Sequence, residues 1–123
     1  MRGVFTWESL PNRSVDLRDR RFEFASLRAE SIELYPEGLA VRWKDIAASS
    51  WPAPDPSVEL AARRIHGLRI EDDVGTAYER AGGGSSSDTF EQRGECLFRP
   101  APPPEASQIS LVAPSGQRLV IAL

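Results

Sequence analysis

The chain has 123 residues, 18 acidic against 15 Lys and Arg, with a net charge of −3 and a pI near 5.2. That length makes one domain, able to bury about two thirds of its unfolded surface. The acidic balance argues against nucleic acid or an anionic membrane as the main partner. One cysteine excludes an internal disulfide, and one histidine leaves little for a catalytic base or a Cys/His metal site.

Val4-Phe5-Thr6-Trp7 reads as a first strand and Ser14 to Leu17 as a second. The N-terminus lacks the apolar core of a secretory signal, and no apolar run approaches the ~20 residues that span a membrane. Taken as full-length, the chain is expected to be cytoplasmic, without direct membrane insertion; as an excised domain it would be extracytoplasmic. Arg13, Arg18, Arg20 and Arg21 cluster, but Asp16, Asp19 and Glu23 interleave with them, which describes a mixed solvated surface.

Phe22 and Phe24 flank Glu23 at the period of a half-buried strand, and Ile32 and Leu34 repeat that pattern. Leu27 to Glu30 breaks the phase, as a bulge would. Tyr35-Pro36-Glu37-Gly38 then has the grammar of a tight turn, with Pro at the second position and a closing glycine. Leu39, Val41 and Trp43 alternate with Ala40, Arg42 and Lys44 after it, completing a hairpin.

Residues 45–57 form a Pro/Ala/Ser-rich crossover loop, because Pro52, Pro54 and Pro56 exclude a central strand. Trp51 within it reads as a lid over the core, ahead of an exposed recognition residue. A short helix is expected over 57–64, with Pro56 near its start; Val58, Leu60 and Ala62 also fit a strand. Asp72-Asp73-Val74-Gly75 repeats the turn grammar. Residues 81–88 (Ala81-Gly82-Gly83-Gly84-Ser85-Ser86-Ser87-Asp88) read as a flexible Gly/Ser loop. Thr89 to Arg99 reads as a strand with Gly94 marking a bulge or a close approach. Arg99-Pro100-Ala101-Pro102-Pro103-Pro104 is extended, crossing between sheets or serving as a polyproline ligand. A third turn, Ala113-Pro114-Ser115-Gly116, separates Ile109–Leu111 from the terminal run Leu119-Val120-Ile121-Ala122-Leu123. That run does not alternate by residue type and reads as doubly buried or as a sticky edge.

About 7–9 antiparallel strands with one proline-rich crossover describe an all-β, two-sheet sandwich of immunoglobulin type over residues 1–123, with an open barrel as its rival. The string Asp72-Asp73-Val74-Gly75-Thr76-Ala77-Tyr78, followed by Phe98-Arg99-Pro100 and Ile109-Ser110-Leu111, resembles uncharacterised bacterial immunoglobulin-like (telokin-like) β-sandwich domains. Those domains carry an Asp-Asp-x-Gly-Thr-x-Tyr hairpin. The resemblance implies a β-sandwich with no catalytic residues; separately, no cofactor is expected.

No nucleophile–base set, metal spacing or nucleotide fingerprint is written in the chain. Cys96 reads as a small buried hydrophobe and His66 as a structural histidine. The expectation is a non-catalytic module that binds a protein partner or itself, a homodimer included, through edge-strand addition. Its candidate contact residues are Trp51, Leu119, Val120, Ile121 and Leu123. The alternative is a small-ligand or Ca²⁺-binding domain using the acidic 71–75 turn, although Asp72 also suits the start of a turn.

Overall fold

A computed structural model describes residues 10–24, 27–45, 67–87 and 92–123. Val4–Trp7, Trp51, His66 and the expected 57–64 helix lie outside the described residues, as does nearly all of the 45–57 crossover. Nine strands run through the described residues: β1 (Arg13–Asp16), β2 (Glu23–Phe24), β3 (Leu27–Leu34), β4 (Leu39–Asp45), β5 (Arg69–Asp72), β6 (Glu79–Ser87), β7 (Gln92–Arg99), β8 (Gln108–Val112) and β9 (Arg118–Ala122). The larger sheet has the order β1-β3-β4-β7-β6, with the two-residue β2 sharing an edge of β3 with β1; the smaller has the order β5-β8-β9. Every pairing is antiparallel. No described strand of one sheet pairs with the other, so the molecule is a two-sheet sandwich and not a barrel. Among the described residues no helix is long and apolar enough to cross a membrane.

The core lies between the sheets. Leu27, Ala29, Ile32, Val41, Trp43, Cys96 and Phe98 face it from the larger sheet, and Ile70, Ile109, Leu111, Leu119 and Ile121 from the smaller. The phase break in β3 is a bulge. Ala29 pairs with Trp43 and Ser31 with Arg42, which leaves Glu30 without an opposite number. The extra residue moves the inward positions from odd (Leu27, Ala29) to even (Ile32, Leu34), so both halves of the strand keep their apolar side on the core.

The three turns share a grammar and part company in three dimensions. Tyr35 and Gly38 exchange backbone bonds (Tyr35 N–H to Gly38 O, 2.8 Å; Gly38 N–H to Tyr35 O, 3.3 Å) around Pro36-Glu37. Gly38 is not among the glycines with positive φ, so this hairpin closes without a G1 bulge. Ala113–Gly116 does form the bulged hairpin: Gly116 has φ +93° and Ala113 N–H reaches Gln117 O at 2.8 Å. Asp72–Gly75 is not a hairpin at all. β5 pairs with β8 and β6 with β7, so this corner carries the chain from one sheet to the other.

Residues 81–87 are not a free loop. They lie within β6, paired in register with β7 from Gly82↔Leu97 to Ser87↔Gln92. A run of Gly and Ser has no side-chain period, but its backbone donors and acceptors still complete a ladder. Gly94 pairs with Trp43 and Ser85 without a register shift; the bulge falls at Ala81, opposite no residue of β7. The close approach falls at Gly83, where a Cβ would stand 2.4 Å from the Glu95 carbonyl oxygen. The proline-rich segment after Arg99 links β7 of the larger sheet to β8 of the smaller, the structural use expected of it.

Candidate functional site

β9 is an edge of the smaller sheet, joined among described strands to β8 alone. Its apolar run alternates by burial: Leu119 and Ile121 pack in the core, Val120 is 40% exposed and Leu123 half-buried. Leu119 and Ile121 therefore hold the strand to its own sheet, and Val120 is the apolar side chain left to solvent. Of the five candidate contact residues, Trp51 is the one outside the described residues.

The phase of the ladder fixes which backbone groups the edge presents. Leu123 N–H bonds to Ser107 O at one end and Ala113 N–H to Gln117 O at the other, in the register that pairs Ile109 with Ile121 and Leu111 with Leu119. Hydrogen-bonded pairs recur every second residue in an antiparallel ladder, so 117, 119, 121 and 123 address β8. Arg118, Val120 and Ala122 point their N–H and C=O away from it. One guard stands on this row: Arg20 Nη2 donates to the Val120 carbonyl at 3.0 Å. Beside the edge, Glu71 bridges Arg118 (3.0 Å) and Arg69 (3.5 Å) across the outer face, above the buried Ser110 and Val112 of β8.

The other edges are blunted more heavily. β6 carries the bulge at Ala81, which twists an edge away from a flat partner. β1 and β2 divide one edge between four residues and two. β5 has four residues and runs directly into the corner.

That corner is where the acidic residues sit. Asp72 Oδ1 accepts the Val74 and Thr76 N–H groups, each at 3.0 Å, and Oδ2 accepts the Tyr78 hydroxyl at 2.9 Å. Burial alone would raise the Asp72 pKa, but the hydrogen bonds from Thr76, Tyr78 and Val74 outweigh it and hold the carboxyl down at about 2. Tyr78 is pushed well above its ordinary value by burial and by that carboxylate. Asp73 accepts the Ser107 N–H (3.0 Å) and hydroxyl, which lowers its pKa and pins the segment ahead of β8. Both carboxylates thus serve as local caps, and no cluster of metal-ligating side chains occurs among the described residues.

Cys96 is fully buried, and burial pushes its thiol up to about 11, against the pull of the nearby Arg80 guanidinium. A protonated, inaccessible sulfur is a packing group. Sequence reasoning missed the network on the larger sheet's outer face. There Arg42 bridges Glu33 (3.0 Å) and Glu95 (2.8 Å), and Tyr35 donates its hydroxyl to Glu33 (2.9 Å). Alternation places these residues on one face, but only the strand order β3-β4-β7 brings Glu33 and Glu95 to opposite sides of Arg42. No protein-family model, curated protein or solved structure matches the chain.

Proposed function

We propose that the protein is a non-catalytic interaction module which adds a strand, from a protein partner or from a second copy of itself, at the β9 edge. The observation that carries this reading is the outward row at Arg118, Val120 and Ala122, three residues whose backbone donors and acceptors point away from β8, on a side where no described strand pairs. Backbone hydrogen bonds would supply the affinity, and the side chains alternating across the new strand the selectivity. Arg20 acts as the guard to be displaced, since its guanidinium holds the middle carbonyl of the row. The resemblance to bacterial immunoglobulin-like domains is in keeping with this use.

Removing residues 119–123 would not test the reading, because Leu119 and Ile121 are part of the core. Val120→Pro does. It deletes an outward N–H and places a ring in the path of an added strand, while β8 keeps its bonds to 119 and 121. Light scattering of the purified chain, and affinity capture from the native cell, should show a complex with the unmodified protein and lose it with Val120→Pro. Identical masses and identical captured proteins from both forms would remove β9 as the binding element.

A further inference from the structure

Beside the corner, where β5 borders one sheet and β6 the other, a cavity of about 370 Å³ opens to solvent. Buried Leu68, Ile70 and Phe98 form apolar walls, and Thr76, Tyr78 and Arg80 contribute polar groups. Arg80 pairs across the ladder with Phe98, so its side chain takes the inward side of β6. The guanidinium lies beside the buried Cys96 thiol, and its Nη1 is buried with no hydrogen-bond partner. A buried guanidinium donor without an acceptor is a standing energetic cost. The neighbouring carboxylates are engaged elsewhere: Asp72 with the corner, Glu71 with Arg69 and Arg118.

We propose that this cavity binds a small carboxylate with an apolar body, its carboxylate on the Arg80 guanidinium and its body against Leu68, Ile70 and Phe98. The planar fork of arginine matches a carboxylate in two parallel bonds, which gives the ligand an orientation as well as a charge partner. A phosphate is a poorer fit, because the remaining wall is apolar and the second arginine, Arg69, is largely exposed and already faces Glu71. The volume lies at the small end of ligand pockets, ~300–1,000 Å³, which selects an aryl or medium-chain acid over a larger lipid. The proposal is independent of the β9 reading, since β5 and β9 are opposite edges of the smaller sheet.

The probes are octanoate and benzoate, with octanamide and benzamide as neutral counterparts of the same shape, titrated into the isotope-labelled full chain and followed by NMR. The acids should saturate and shift amides at Ile70, Tyr78, Arg80 and Phe98, binding at least about tenfold tighter than the amides. Arg80→Met should erase that preference while leaving the melting temperature within a few degrees of the parent, because it removes a buried guanidinium nitrogen that has no acceptor. Equal binding of acid and amide, shifts confined to other residues, or no saturation by either acid would overturn the proposal. The acid–amide comparison on the unmodified chain decides the matter even where Arg80→Met does not fold.

Discussion

The Asp72 corner makes a quantitative claim. One carboxylate accepts three donors, from Val74, Thr76 and Tyr78, at 2.9–3.0 Å. A hydrogen bond to a charged acceptor contributes ~1.5–3 kcal/mol, but water can replace the carboxylate where the donor is exposed. Val74 is exposed, Thr76 and Tyr78 are half-buried, so the Tyr78 hydroxyl bears most of the loss. Asp72→Ala should therefore cost about 2–3 kcal/mol in urea unfolding, or about 6–15 °C in melting temperature for a domain of this size. Asp72→Asn retains an acceptor for the two N–H groups and should cost about 1 kcal/mol. Tyr78→Phe should show a coupling to Asp72→Ala of at least ~0.5 kcal/mol in a double-mutant cycle.

The pH dependence has a definite sign. The folded pKa lies at about 2, below the ordinary 3.8, so between those values the unfolded chain binds the proton and the folded chain does not. Stability from this group is fully present above the unfolded value and is lost as pH falls toward 2. Asp73, also lowered, adds to the same limb, and Asp16, held at about 2 by its hydrogen bonds to Arg18, does so from a distant site. The stability profile of Asp72→Asn should accordingly be flatter than that of the parent between about pH 4 and 2. Parallel profiles, or an Asp72→Ala cost below ~0.5 kcal/mol, would refute the assignment of this carboxylate as the corner's clamp.

Gly83→Ala should destabilise by ~2–4 kcal/mol in urea unfolding, since φ is +149° and the new Cβ meets a backbone oxygen that cannot yield. Gly116→Ala has φ +93° but nothing within 4 Å, so only the backbone strain remains and the cost should be about 1 kcal/mol. Comparable losses from both would mean that β6 does not approach β7 as described. Val120→Pro should change stability by less than ~1.5 kcal/mol while it abolishes association, because the lost N–H is not part of the β8 ladder. A larger loss would place that N–H inside the sheet.

Much of the fold was legible because its signals are local. Pro36 fixes one turn, Gly116 another, and the odd-to-even change in β3 shows in the sequence as Leu27 and Ala29 followed by Ile32 and Leu34. Asp72–Gly75 has the same local chemistry as its two counterparts, yet no residue in it states which strand β6 will join. That depends on β7, whose Leu97 and Cys96 pair with Gly82 and Gly83. Glycine and serine gave no period, so most of β6, the longest described strand, looked like a loop. Of the two readings of the terminal run, the edge strand holds and the doubly buried one fails. Val120 is apolar and solvent-facing, and a hydrophobic residue type does not fix burial on an edge. The buried end of Arg80 had a signal in its phase with Tyr78, two residues earlier, but its lack of an acceptor is a three-dimensional fact.

The order β5-β8-β9 gives the two proposals a common frame and keeps them separable. β5 meets β6 through the Asp72 corner without pairing to it, and the space left between those two edges is the cavity. β9 lies across β8 from β5, so a strand added there would extend the sheet away from the cavity. Occupation of one site then leaves the other open, and Val120→Pro should bind octanoate as the parent does. Were octanoate binding and association to fail together in Val120→Pro, the defect would lie in β8, the strand that both edges share, and a distortion of the smaller sheet would replace two independent sites as the explanation.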